Sequence, residues 1–164
     1  MSELAVGSLA GLAANSYVID VASGSQLTQP GMVLQVVRVT DATDITTTST
    51  SYADSGVSIT ITPNSSTSTI YVYAYFQQRF VHTSQGASRF QLTDSSDVAL
   101  SGAEEATFAP DSDAHFQPGA LLGYDAPAST SAQTYKLRFK TGAGTTYIQG
   151  ATQTTQLVAM EVAV

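Results

Sequence analysis

The residues able to do chemistry in this chain are few and scattered. There is no cysteine, so neither disulfides nor thiolate metal sites can form. The two histidines, His82 and His115, have no serine and aspartate at a spacing that names a nucleophilic triad, and no catalytic residue is assigned. Asp111-Ser112-Asp113-Ala114-His115 brings two carboxylates and an imidazole close together, a set whose oxygens could hold a divalent cation. It lacks the glycine and distal glutamate of a calcium loop and reads as a solvated acidic turn, so no metal site is expected. Glu104-Glu105 reads as a solvated charge pair rather than an acid/base couple. Gly142-Ala143-Gly144-Thr145 superficially resembles a phosphate loop, but it carries no lysine and stands in a strand pattern, so it is expected to be a turn. No cofactor is expected from any of these.

Two sets of side chains remain as candidate binding residues. Tyr71, Tyr73 and Tyr75 alternate along one strand and so share a face. Tyrosine offers a flat apolar body with a polar tip at small entropic cost, which suits a subunit contact or a sugar platform. The same rings would equally serve to cover a second sheet or the Ser/Thr face of their own hairpin. Lys136, Arg138 and Lys140 are half of the six basic residues and also share a strand face. In an acidic protein they could meet an acidic surface on a neighbouring subunit or the acidic stretch from Asp94 to Asp113. A solvated edge strand guarded by lysine is the plainer reading.

These residues must be carried by strands. The stretch from Val57 to Phe76, VSITITPNSSTSTIYVYAYF, alternates apolar and polar residues on both sides of Pro63-Asn64-Ser65-Ser66, and predicts an antiparallel hairpin. Val57, Ile59 and Ile61 then share one face with Ile70, Val72, Ala74 and Phe76, and the tyrosines lie on the other with Ser58, Thr60 and Thr62. An aliphatic face needs a second layer, so one sheet packed on another is the economical architecture. After the Pro30-Gly31 turn, Met32 to Val39 is apolar enough for a central strand. Asp41 to Asp54 has strand propensity but no burial face. Gln77 to His82 continues the hairpin, Arg89 to Thr93 is a further strand, and Asp94 to Pro118 is a surface excursion. Gly119 to Tyr124 returns to the core. Thr134 to Lys140 buries Tyr135, Leu137 and Phe139 and reverses through Gly142 to Gly144 into Thr146-Tyr147-Ile148-Gln149, a second hairpin. Gln156 to Val164, apolar on both faces except Glu161, ends inside a sheet.

The count is eight to ten strands about ten residues apart, which predicts an all-β antiparallel sandwich, jelly-roll-like, over residues 30–164, with a short N-terminal arm over 1–29. Ser and Thr make up roughly a quarter of the 164 residues, as strand chemistry requires. A net charge of −7 argues against binding a phosphate backbone, so no nucleic-acid partner is expected. No apolar run approaches the roughly 18 residues of a membrane helix, so membrane insertion is not expected either. The opening SELAVGSLAGLAA has an acidic residue where a signal peptide has a basic one, and is read as retained.

Pro30 to Val37, then Thr48-Ser49-Thr50-Ser51-Tyr52, then VSITITPNSSTSTI resemble a β-domain found widely in structural proteins of tailed bacteriophages and marine viruses. Pro127 to Lys136 and Leu157 to Val162 are similar to its second half, so the resemblance covers roughly residues 30 to 164. SLAGLAANSYVID also looks like the junctions preceding such domains in tail-fibre chains. The resemblance implies a virion component, tail-fibre-like or a capsid decoration protein, with trimeric assembly common and no catalytic residues. The excursion from Asp94 to Pro118 has no counterpart in the pattern. For a chain of this length, without a preceding shaft, the expectation is a capsid decoration, knob or head-fibre protein whose partners are its own copies and other virion proteins such as the major capsid protein. The alternative is a tail-fibre-type module that attaches to host surface glycans.

Overall fold

Wherever apolar residues alternate with Ser, Thr or charge, the backbone is extended, since one strand face is buried and the other is not. The structure, a computed structural model, describes residues 29–81, 86–109, 115–148 and 153–164, so the arm expected over 1–29 lies almost wholly outside it. Among the described residues there is no helix. The strands are β1 (Val33–Asp41), β2 (Ile45–Thr47), β3 (Ala53–Ile61), β4 (Thr69–Val81), β5 (Ser88–Thr93), β6 (Ala106–Phe108), β7 (His115–Asp125), β8 (Gln133–Thr141), β9 (Thr145–Ile148) and β10 (Thr155–Val162).

All pairings are antiparallel and fall into two sheets. In sheet A, β7 runs along one edge of β4, while β10 and β9 lie end to end along the other edge, flanked by β1 and β2. Sheet B has the order β3-β8-β5-β6. With the short β2 and β9 set aside, the pairs are first strand with last, second with seventh, third with sixth and fourth with fifth. That is a long antiparallel ladder rolled into two layers, the jelly-roll topology. The expected all-β sandwich is therefore the fold.

Between the sheets lies one core, with Val57, Ile59 and Ile61 of β3 and Tyr135, Leu137 and Phe139 of β8 facing Ile70, Val72, Ala74 and Phe76 of β4. The buried set is the one the alternation predicts. The pairing is not. Val57 to Phe76 is no hairpin, because β3 belongs to sheet B and β4 to sheet A, and the turn between them is an arch from one sheet to the other. The tyrosines and the Ser58-Thr60 face consequently lie on opposite outer surfaces of the sandwich. The stretch from β8 through Gly142 to β9 is likewise an arch rather than a hairpin, tied down by Gly142 N–H donating to Ala87 O (2.8 Å). In both cases the two aliphatic faces meet across the core, which buries them better than a shared sheet would.

Glu161 explains the first arch. It is fully buried on central β10, and a buried carboxylate must be paired. Its Oε1 accepts from the backbone N–H of Asn64 (2.8 Å) and of Ser65 (3.2 Å), and Oε2 from the Asn64 amide (2.9 Å) and the Gln35 amide (2.7 Å). The turn residues are held by the opposite sheet.

The excursion expected over Asp94 to Pro118 is only partly superficial. Leu100 and Ala103 are buried, β6 pairs with β5, and β7 already starts at His115. On β7 the core-facing positions are Gly119, Leu121 and Gly123, while its larger residues point out. A Cβ at Gly119 would stand 2.3 Å from the Phe76 ring, and one at Gly123 would stand 2.9 Å from Leu100 and Ala103. Both rely on the missing side chain. Gly119→Ala is expected to lower stability by about 2 kcal/mol, since overpacking a filled core costs roughly 1–3 kcal/mol. Chemical denaturation measures it, and an unchanged midpoint would show that Phe76 can move aside.

Candidate functional site

The basic strand β8 is central in sheet B, paired with β3 on one side and β5 on the other, which rules out the solvated edge strand. A glycine decides what faces it. Gly56, at φ +82°, sits in an irregularity of β3 between Asp54 and Ser58, and this bulge sets Asp54 opposite Arg138. On the far side, Asp94 Oδ1 accepts from the N–H groups of Ser96 (2.8 Å) and Val98 (2.9 Å), shaping a turn that holds Asp97 at φ 69°. Asp97 is thereby aimed at Lys136 and Arg138. The ion pairs are Lys136 with Asp97 and with Asp54 (3.3 Å), Arg138 with Asp54 (2.7 Å) and Asp97 (3.2 Å), and Lys140 and Arg89 each with Glu105 (3.1 Å).

Tyr52 closes this network. Its hydroxyl donates to Glu105 Oε2 (2.9 Å), its ring lies 4.2 Å below the Lys140 ammonium, and its carbonyl accepts from Arg138 (3.0 Å). Burial, and then the bond to Glu105, pushes the Tyr52 phenol well above its ordinary value. Burial alone would raise the Glu105 carboxyl, but hydrogen bonds from Tyr52 and Lys140 outweigh it and hold it below the usual range. Asp97 is held low, first by its bond to Lys136, and Lys136 is raised chiefly by the same bond. Lys136, Arg138 and Lys140 thus meet acidic residues of their own chain, two of them within the stretch from Asp94 to Asp113. Glu105 is committed to this network, and Glu104 accepts from the N–H of Gly102 (3.1 Å), so the two do not act as a pair.

The outer face of sheet A is of another kind. Antiparallel register sets its outward residues in rows across the strands. Val36, Met160, Tyr71 and Tyr124 form one row, and Arg38, Val158, Tyr73 and Leu122 the next. Gln156, Tyr75 and Ala120 follow, and then Tyr147, Arg79 and Phe116. Tyr71, Tyr73 and Tyr75 therefore cover neither the second sheet nor a Ser/Thr face of their own. Tyr71 leans on Tyr124 with ring centroids 6.1 Å apart, and Tyr73 is 40% exposed. The Arg79 guanidinium is held between the rings of Phe116 (5.4 Å) and Tyr147 (5.2 Å). Val36, Leu122, Tyr124 and Phe116 are each at least half exposed.

No Asp or Glu occupies an outward position of β1, β4, β7, β9 or β10. The β7 contribution of Phe116, Leu122 and Tyr124 escaped the sequence reading, which sent Gly119 to Tyr124 to the core as a block. The signal was there in Gly119 and Gly123, whose spacing marks the crowded face as the inner one.

Among the described residues no three His, Asp or Glu side chains converge as a metal site would need. His82, Asp111 and Asp113 lie outside those residues. Gly142 to Gly144 is the turn the sequence predicts, packed against Ala87. No described helix is long and apolar enough to cross a membrane, a statement that does not reach β-barrels.

No protein-family model matches the chain, and no curated protein matches it. Among solved structures it is similar to a chain of the infectious bursal disease virus VP2 subviral particle, at 18% identity and a TM-score of 0.29. The match covers 79% of this chain and 38% of that one, so this chain spans well under half of that protein's length.

Proposed function

We propose that this chain is a non-enzymatic structural protein of a bacteriophage virion, a capsid decoration, knob or head-fibre protein that assembles as a trimer on the particle surface. The observation that carries the reading is the contrast between the two outer faces. Over sheet B the charged side chains are satisfied by one another, whereas sheet A turns an apolar, aromatic face outward where a monomer has no use for it. The resemblance of its strands to tailed-phage structural domains supplies the particle. Assembly by complementary burial is the mechanism, with other virion proteins such as the major capsid protein as partners.

Labelling purified virions with an antibody fragment tests the location. Label over the shell supports decoration, and absence of label from the particle overturns the reading. The N-terminal arm serves as the anchor in this account. Gly31 N–H donates to Ala163 O (2.8 Å), so an arm preceding it leaves from the β1–β10 end of the sandwich. Deleting Met1 to Val21 is expected to leave a folded domain, by circular dichroism, that no longer joins the particle. Normal incorporation of the truncated protein would refute the anchor.

The open rings of Tyr73 and Tyr124 favour a second reading, a tail-fibre-type module that recognises host glycans by stacking. Selective signal on a glycan array, lost in Tyr73→Ala, would establish it.

A further inference from the structure

We infer that the outer face of sheet A is a self-association surface, occupied by the same face of a second copy of this chain. The inference rests on reading the protein as an assembly component and names a two-fold contact between copies, distinct from the three-fold contact that closes a trimer. Three observations carry it.

The first is size. β4 contributes 13 residues at about 3.3 Å each, and four strand positions about 4.8 Å apart give the face a width near 19 Å. The outline is roughly 800 Å², close to what each partner of a stable specific interface contributes. The second is charge. Copies of a protein with net charge −7 repel one another, and the surface on which they can meet is the one free of carboxylates. The outward positions of sheet A meet that requirement, with Arg38 and Arg79 as their charged residues and Arg79 already held between two rings. The third is chemistry. Small-ligand and sugar sites are concave and pair stacking groups with fixed polar ones. Here Tyr73 is flanked by Val158 and Leu122, and Tyr71 by Met160 and Tyr124, apolar neighbours that suit another protein face.

The register also favours one arrangement of the pair. A two-fold axis parallel to the strands lays the β1 edge of each copy over the β7 edge of the other. Arg38 of one copy then stands over Leu122 and Tyr124 of the next, and the two Arg38 side chains are far apart. This arrangement adds a cation–π contact at each end of the interface.

Sedimentation equilibrium on the full chain tests the inference. The wild type is expected to exceed the monomer mass at concentrations up to roughly 100 µM, above the micromolar limit typical of interfaces this size. Tyr73→Glu sets two carboxylates beside the axis, and Leu122→Arg sets a second guanidinium against Arg38 of the other copy; both are expected to weaken association at least tenfold, with circular dichroism and melting close to wild type. Leu122 is exposed on an edge strand, so that variant reads out even if Tyr73→Glu folds poorly. Ser58→Glu, on the opposite outer face, should leave the mass unchanged. A wild type that stays monomeric, or face variants that keep the wild-type mass, would overturn the inference, whether the true occupant is a glycan, a capsid protein or the chain's own N-terminal segment. A monomeric protein found on virions would refute this contact and leave the location on the particle intact. An associating protein absent from virions would do the reverse.

Discussion

Replacing Glu161 with leucine is expected to destabilise the protein by about 3 kcal/mol, although leucine is the more natural occupant of a central strand. The carboxylate holds four donors, among them the backbone N–H groups of Asn64 and Ser65 at the turn of the β3–β4 arch. Leucine would leave these donors without a partner in a partly buried site, at roughly 1–3 kcal/mol each where water cannot return. For a chain of this size the loss corresponds to a fall in Tm of about 6–12 °C. Glu161→Gln keeps the shape but turns an amide N–H₂ toward donors, so it should recover only part of the loss.

The same residue predicts an acid limb. Burial by itself would raise the Glu161 carboxyl, but hydrogen bonds from Gln35, Ser65 and Asn64 prevail and hold it below the ordinary value of 4.5. A carboxyl lowered on folding adds stability in full above about pH 4.5, and that stability is lost as the pH falls through the lower folded value. Wild-type Tm should therefore fall below about pH 4.5, and Glu161→Leu should start lower and fall less. Asp97 and Glu105 shift in the same direction and will keep some slope in the variant, reduced by solvent screening. Parallel Tm curves for the two proteins down to pH 3 would show that Glu161 is not the group responsible.

Phe90→Ala should cost about 4 kcal/mol, within the 3–5 kcal/mol typical of deleting a buried phenylalanine. Phe90 of β5 is fully buried and joins the layers, with its ring 4.5 Å from Phe76 of sheet A and 6.1 Å from Phe139, its neighbour on β8. Phe108 meets it edge-on at 5.7 Å and brings the short β6 into the cluster. A Tm lowered by about 8–16 °C is expected, with Phe90→Leu losing far less. A change under about 1 kcal/mol would mean that the aromatic cluster does not hold the sheets together.

Alternation along the chain was enough to determine that the protein is all-β and which faces of β3, β4 and β8 are buried, though not that β1 lies at a sheet edge or which face of β7 points out. Val57, Ile59 and Ile61, then Ile70 to Phe76, then Tyr135, Leu137 and Phe139 are read correctly, because burial of every second side chain is a property of the strand itself. Strand partners are not such a property. Ladder hydrogen bonds are made by backbone and carry no residue signature, and Pro63-Asn64 suits an arch as well as a hairpin. What decided between them came from elsewhere in the chain: β7, β9 and β10 occupying both edges of β4, and Glu161 reaching across to Asn64 and Ser65. The same holds for the candidate surfaces. The tyrosine stripe is legible in the sequence, but its apolar neighbours at Val36, Leu122 and Tyr124 are brought beside it by register alone. The basic stripe is equally legible, whereas its neutralisation by Asp54, Asp97 and Glu105 depends on a bulge at Gly56 and a turn at Asp94, tertiary placements that no local pattern encodes.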